Sequence, residues 1–319
     1  MSETELSIVI PCYNEELVIQ ESYKRLTSVL KKTGVTYELL FVNDGSSDKT
    51  EFILGELAKA DACLKVISFS KNFGHQNSVS AGLKYCKGNY AVIMDADLQD
   101  PPEVIPEMLR ISKSENANVV YGVRQSRKGE SFFKLFTAKL FYRILNRLSE
   151  STIPVDTGDF RLVDRKVIDT FNKLKEKNKY IRGLISWIGF KQCPVNYTRE
   201  ERFAGTTKFP FSKMFGFATN SMLYFSKKPL KFAILMGFFS ICLGLIYLAV
   251  SLFFWISGVR TMVSGWTSLI VVIVFFGGVQ LLTIGVLGQY IGVLFDEIKE
   301  RPEFIVSRTI NMEEQSENE

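Results

Sequence analysis

The chain has 319 residues, is 46% hydrophobic and 23% charged, and carries a formal net charge of +5. Such a length holds one large domain or two smaller ones. Its five cysteines (Cys12, Cys63, Cys86, Cys193, Cys242) show neither CxxC pairing nor metal spacing, so they read as reduced thiols, and the single histidine, His75, excludes a multi-histidine zinc site.

The first hundred residues alternate strand and helix patterns. Leu6 to Ile10 reads as a strand, Glu15 to Lys32 as a helix, Tyr37 to Val42 as a strand and Lys49 to Ala60 as a helix. Leu64 to Phe69 is again strand-like, Gln76 to Cys86 helical and Ala91 to Met94 a short apolar strand. Repeated units of this kind predict a mainly parallel sheet with helices on both faces, which binds ligands at the carboxyl ends of its strands. Pro11-Cys12-Tyr13-Asn14-Glu15, Asn43-Asp44-Gly45-Ser46-Ser47 and the acids Asp95 and Asp97 all fall at such ends. No GxGxxG or GxxxxGK[ST] is present, which removes support for a dinucleotide fold or a P-loop. His75, alone in a loop, reads as a local hydrogen-bonding group.

Asp95 and Asp97 follow the Ala91 to Met94 strand, separated by one residue. Like charges so close repel, and a hard divalent cation, Mg²⁺ or Mn²⁺, relieves that repulsion while sharing its oxygen ligands with substrate phosphates. The alternative is a solvated turn capping the helix that starts near Pro101.

From Arg124 to Arg147 there are seven bases and one acid. Phe133, Phe136, Leu140, Ile144 and Leu148 share helical spacing, with Lys139, Arg143 and Arg147 as a separate basic stripe. That is the pattern of an interfacial membrane helix rather than of nucleic-acid binding, although an ordinary surface helix would share it. Phe209 to Phe225 is likewise aromatic and amphipathic. Phe232 to Val259 and Thr261 to Phe295 contain no charged residue, and each exceeds the roughly 20 apolar residues that cross a bilayer. Gly288 and Gly292 form a small-xxx-small pair suited to helix packing. Lys227, Lys228 and Lys231 precede the first span, whereas Arg260 alone marks the connecting loop. The positive-inside rule then puts both termini, and with them the long N-terminal domain, on the cytoplasmic side of the plasma membrane. Met1 to Glu5 is polar and Leu6 to Pro11 too short for a signal-peptide core. From Asp296 onward eight acids meet three bases. The expected organisation is an N-terminal cytoplasmic α/β domain over 1–225 with interface helices at about 131–148 and 209–226, a two-helix transmembrane domain over 229–296 and an acidic cytoplasmic tail over 297–319.

The phrases SIVIPCYNEE, FVNDGSSDKT, SKNFGHQ, AVIMDADLQDPPE, YGVRQSRKGE and TGDFRLVDRKV together resemble family 2 glycosyltransferases with a GT-A fold. More closely, they resemble the membrane-anchored polyprenyl-phosphate glycosyltransferases, which include bactoprenol glucosyltransferases and dolichol-phosphate mannose synthases. The resemblance covers about residues 5–215, in matching order, and two C-terminal spans fit the bactoprenol-type subgroup. It implies an α/β GT-A nucleotide-diphospho-sugar transferase fold, with interfacial amphipathic helices and two C-terminal transmembrane helices added. It also implies an inverting transfer of sugar from a nucleotide sugar to a lipid phosphate.

On that resemblance Pro11, Tyr13, Asn14 and Glu15 cradle the nucleotide, and Asp44 reads its base or ribose. Asp97 holds the cation, with Asp95 and Gln99 beside it, so that charge building on the departing diphosphate is offset. Asp159, in TGDFRL, matches the carboxylate often assigned as base, with a positioning or electrostatic role equally open. Arg124, Arg127, Arg202 and Lys208 surround the acceptor phosphate and diphosphate, and arginine suits phosphate through its planar fork. TGDFRLVDRKV resembles the bactoprenol glucosyltransferase branch more than the mannose synthases, which implies UDP-glucose as donor, with UDP-GlcNAc, UDP-galactose and GDP-mannose as other donors. The acceptor the family resemblance implies is undecaprenyl phosphate. The QxxRW motif of processive polysaccharide synthases is absent, and the intact acids speak against a non-catalytic relative. A homo-oligomer, dimer or tetramer, is a further expectation.

Overall fold

Continuous runs of β-branched and aromatic residues form the first three strands: β1 (Leu6–Cys12), β2 (Tyr37–Asn43) and β3 (Leu64–Phe69). Nearly every residue in them is buried, as in strands covered on both faces. The computed structural model describes residues 4–124, 157–177, 179–200, 228–257 and 265–312. Helices α1 (Ile19–Thr33), α2 (Thr50–Ala60) and α3 (His75–Tyr85) connect the strands, and β4 (Tyr90–Ile93) follows. A turn of 3-10 helix, Pro102–Val104, leads into α4 (Ile105–Ser114) and then β5 (Val119–Arg124). Past residue 156 come β6 (Thr157–Asp164), α5 (Arg165–Asn172), α6 (Ile181–Ile188) and β7 (Gln192–Tyr197). The long helices α7 (Lys228–Ile256) and α8 (Gly265–Ile298) precede a final strand, β8 (Val306–Ile310).

The strands form one sheet in the order β7-β5-β6-β4-β1-β2-β3-β8. Its centre is parallel: β1 pairs with β2 and β4, and β2 with β3. β6 runs antiparallel between β4 and β5. Its register matters for the site, because Ile93 opposes Arg161; extended past the end of β4, the same register sets Asp159 across from Asp95. Pro11 lacks an N–H, and it lies beyond Val9, where the β1–β4 pairing stops, while β1–β2 pairing runs on to Cys12. The core is built from Leu6, Ile8, Ile10, Leu39, Phe41, Val66, Val92 and Phe160, all fully buried.

Three expectations change. The helix expected from Glu15 begins at Ile19, because Asn14 adopts φ +53° and the turn after it is tied to the next loop. The helix expected from near Pro101 opens with a 3-10 turn. The stretch expected as an acidic tail supplies β8, which pairs antiparallel with β3 and closes that edge of the sheet. The expected interface helices, about 131–148 and 209–226, lie outside the described residues.

The chain divides into two compact units, one of Met1–Asn146, Ser151–Pro210 and Arg301–Glu319, the other of Arg147–Glu150 and Phe211–Glu300. The second contains two helical stretches long and apolar enough to cross a membrane, Leu230–Val250 and Val272–Ile298. They expose large side chains such as Phe238, Leu245, Leu281 and Leu294. Their most apolar windows are only 11% and 0% buried, which is unlike a hairpin inside a soluble core and fits association with a membrane. A Cβ added at Gly288 or Gly292 would meet nothing within 4 Å among the described residues.

Candidate active site

The loops after β1 and β2 are laced together. Asn14 N donates to Ser46 Oγ at 2.9 Å, and Asn14 Oδ1 accepts from Ser47 N at 2.8 Å. Glu15 N donates to Thr50 Oγ1 at 2.8 Å. Tyr13 stands 38% exposed at the surface of this cluster, while Pro11 is buried beneath it in β1. Asp44, just past β2, is 3% exposed and accepts from Phe73 N at 2.6 Å and Gly74 N at 2.9 Å. Burial pushes its carboxyl up, and those two N–H groups oppose the rise. The close approach depends on glycine: Gly45 has φ +63°, and a Cβ there would meet the Lys71 carbonyl carbon at 2.4 Å. Gly74, at φ +100°, presents its N–H in a conformation that L side chains rarely adopt. Pro11, Tyr13, Asn14, Glu15 and Asp44 therefore share one loop cluster at the carboxyl ends of β1 and β2.

The loop after β4 turns sharply. Leu98 takes φ +58°, and Asp97, 6% exposed, accepts from Gln99 N at 3.1 Å. The Gln99 side-chain oxygen accepts from Arg199 Nη2 at 2.9 Å, and its backbone oxygen accepts from Glu200 N at 2.9 Å. Asp100 is 1% exposed; it accepts from Tyr197 Oη at 2.5 Å and lies 3.9 Å from Arg124 Nη2 and 4.0 Å from Arg199 Nε. Arg124 Nε in turn donates to Tyr197 Oη at 3.2 Å. Parallel pairing sets Arg124 beside Tyr197, so the ends of β5 and β7 fasten the acidic loop from one side.

Asp159 occupies the other side. Arg182 of α6 grips it through Nε to Oδ1 at 2.5 Å and Nη2 to Oδ2 at 3.0 Å. His75, at the start of α3, places Nε2 3.3 Å from Asp159 Oδ2 and 3.7 Å from Asp95 Oδ1. Burial would lift the Asp159 carboxyl, but Arg182 and His75 hold it well below the usual carboxylate range. For His75, burial acts downward and is outweighed by the Asp159 hydrogen bond and the charges of Asp95 and Asp159, so it is pushed up to about 9. Asp95 moves up to about 6, first through burial and then through the charges of Asp159, Asp100 and Asp97, against the pull of His75.

Asp95, Asp97, Asp100 and Asp159 thus form a field of mutually repelling carboxylates. A hard cation suits such a donor set. Among the described residues no group of three or more His, Cys, Asp or Glu side chains is gathered to hold one unaided. Asp95 and Asp97 fit a cation that keeps several oxygens from water or substrate, the habit of Mg²⁺-like ions at phosphate sites.

Of the residues expected from sequence, Asp95 and Asp159 meet around His75, and Asp97, Gln99 and Arg124 surround Asp100. Asp44 and the Pro11–Glu15 turn form their own cluster. Arg127, Arg202 and Lys208 lie outside the described residues. Sequence reading missed Arg182, Tyr197 and Arg199, and it gave His75 only a local role. SKNFGHQ held the available signal for His75, since its histidine opens the helix after a strand end.

The family described as Glycosyl transferase family 2 matches residues 7–171. An uncharacterized glycosyltransferase of Bacillus subtilis, YkcC, is 50% identical, covering 96% of this chain and 94% of that protein. The SfII prophage-derived bactoprenol glucosyl transferase of Shigella flexneri is 37% identical, covering 95% of this chain and 98% of that protein. Among solved structures, glucosyl-3-phosphoglycerate synthase from Mycobacterium tuberculosis, in complex with Mn²⁺, UDP-glucose and phosphoglyceric acid, aligns with a TM-score of 0.48 at 20% identity. That alignment covers 70% of this chain and 78% of the other.

Proposed function

The chain belongs to glycosyl transferase family 2, and from that membership we propose that it moves a hexosyl group, glucose first among donors, from a nucleoside diphosphate sugar to a membrane polyprenyl phosphate. The near full-length likeness to a bactoprenol glucosyl transferase carries this reading. Two exposed apolar helices keep the chain at a membrane, where a lipid phosphate is available. The basic flank Lys227, Lys228 and Lys231 supports a cytoplasmic catalytic domain with both termini on that side.

In the proposed reaction an acceptor phosphate oxygen attacks the anomeric carbon as the bond from that carbon to the nucleoside diphosphate breaks, with inversion. The phosphate monoester has a second pKa near about 6, so it arrives largely as a dianion with little need of a base. Asp159 suits this, because a carboxylate gripped by Arg182 and His75 stays ionised and accepts protons poorly. Its work is to fix Arg182 and His75 and to set the field at the reacting carbon. Asp44 and the Pro11–Glu15 turn bind the nucleotide. A divalent cation at Asp95 and Asp97, with Gln99 near, would offset charge on the leaving diphosphate as a Lewis acid. Arg124 bears a cation close to the acidic loop, and Arg127, Arg202 and Lys208 add further phosphate-binding groups. A dimer or tetramer remains part of the proposal.

The test uses full-length protein in detergent with labelled nucleotide sugars and a short polyprenyl phosphate. A single-sugar lipid product, greatest with UDP-glucose, supports the reading. Greater product with UDP-GlcNAc, UDP-galactose or GDP-mannose reassigns the donor; polymer indicates a processive synthase; no product with any donor sinks the enzyme reading.

A further inference from the structure

Chain leaving α8 does not trail away. Soon after Ile298 it enters the first unit, where Glu303 extends both carboxylate oxygens to different elements. Oε2 accepts from Ser80 Oγ of α3 at 2.9 Å, and Oε1 pairs with Lys179 Nζ at 2.9 Å. Lys179 is 6% exposed and also lies over the Phe171 ring at 5.1 Å. Its ammonium is therefore largely desolvated, and a desolvated charge depends strongly on its partner. Next to Glu303, Phe304 stacks on Phe69 at 5.0 Å, and Phe69 meets Phe73 edge-on at 5.8 Å. Beyond β8, Asn311 Nδ2 donates to Ala58 O and Leu64 O at 2.6 and 2.9 Å.

What Glu303 joins is informative. α3 opens with His75, and Ser80 lies further along that helix. Lys179 lies two residues before α6, whose second residue is Arg182. His75 and Arg182 are the two groups that hold Asp159. A further link, Ile181 N donating to Gln76 Oε1 at 3.0 Å, ties the same two helices near their starts. We propose that Glu303 is a positioning residue: through Lys179 and Ser80 it sets α6 against α3, so that Arg182 and His75 meet Asp159 in working register. The strap after the second apolar helix would then be part of the active site's support. The kinetic part of this inference rests on the proposed transferase reading; its structural part does not.

The experiment compares wild type with Glu303→Gln, which preserves shape and one hydrogen bond but removes the charge opposite Lys179. Transfer kinetics and hydrogen exchange are measured on the full-length protein in detergent. The expected result is a fall in kcat of about tenfold with the nucleotide-sugar KM changed less than about twofold, since misplacing a positioned group costs rate more than binding. Exchange should rise at residues 181–188 and stay unchanged in β1 and β2. In an Arg182→Lys background the same substitution should cost less, because its route through Arg182 is already impaired. Wild-type kcat together with unchanged exchange at α6 overturns the inference, as does a loss confined to KM. Should Glu303→Gln fail to fold, Lys179→Gln and Ser80→Ala each cut one arm and are read by the same measurements. If wild type itself transfers no sugar, the function proposed above fails, while exchange at α6 still decides the role of Glu303.

Discussion

Arg182 meets Asp159 with two hydrogen bonds, Nε to Oδ1 at 2.5 Å and Nη2 to Oδ2 at 3.0 Å. A bidentate pair of this kind fixes orientation as well as charge. Asp159→Asn is expected to lower kcat by about a hundredfold, by analogy with losing one preorganised charged group. Arg182→Lys keeps the charge but loses the fork, and should cost about tenfold. Because Asp159 is held well below the usual carboxylate range, its ionisation should leave no inflection in kcat/KM near pH 4 to 5, where ordinary carboxyls titrate at about 4. An inflection there that disappears in Asp159→Asn would show a proton-accepting role instead.

His75 gives a stability prediction with a definite sign. Its ordinary value is 6.5, and it is raised to about 9 in the folded chain. The folded state therefore holds the proton more tightly than the unfolded one, so the contribution is fully present below pH 6.5 and is lost as pH rises through about 9. Melting temperatures of wild type and His75→Gln, taken in chelator, should differ most at about pH 6 and converge by about pH 10. A gap that widens with pH in this window would refute the pairing with Asp159 and Asp95.

The acidic loop predicts cation dependence. Asp97→Ala is expected to abolish transfer, and Asp95→Asn to raise the cation concentration needed for half-maximal rate. Chelation of the wild type should remove activity, with Mg²⁺ or Mn²⁺ restoring it. Calorimetry adds a readout independent of turnover: cation binding in the presence of a nucleoside diphosphate should vanish in Asp97→Ala. Normal turnover of that variant with cation supplied would end the proposed role.

Much of the sheet's centre was legible because β1 to β4 are local apolar runs ending in chemistry-bearing loops. Periodicity finds such runs, and the strand ends then locate Asp44, Asp95 and Asp97. The missing parts are those whose meaning is made by distant partners. Val306 to Ile310 carries a serine, an arginine and a threonine in an acidic context, and only pairing with Val66 to Phe69 makes it a strand. Arg182 sits in an amphipathic helix with no motif around it, and only the packing of α6 brings it to Asp159. His75 was assigned a local role because single histidines usually have one, yet the antiparallel β4–β6 register sets Asp95 and Asp159 on either side of it.

Glu38 separates stability from activity. It is 2% exposed on β2, accepts from Ser7 Oγ at 2.5 Å and from Lys87 N at 2.6 Å, and pairs with Lys65. Glu38 lies near the start of β2, opposite Ser7 on β1, at the end of the sheet away from Asp44 and Asp95. Replacing it with alanine takes the partner from the Lys65 ammonium and removes one hydrogen bond each from the Ser7 hydroxyl and the Lys87 N–H. Removing one partner of a buried pair costs about 3–5 kcal/mol, and the lower end is expected because Lys65 retains 16% side-chain exposure. Denaturant melts that follow the first unit in full-length protein should show that loss. Turnover per folded molecule should match wild type, since the hydrogen bonds of Glu38 to Ser7, Lys65 and Lys87 do not reach the acidic loop. A variant that melts normally but transfers slowly would place Glu38 in the site's support rather than in the sheet's.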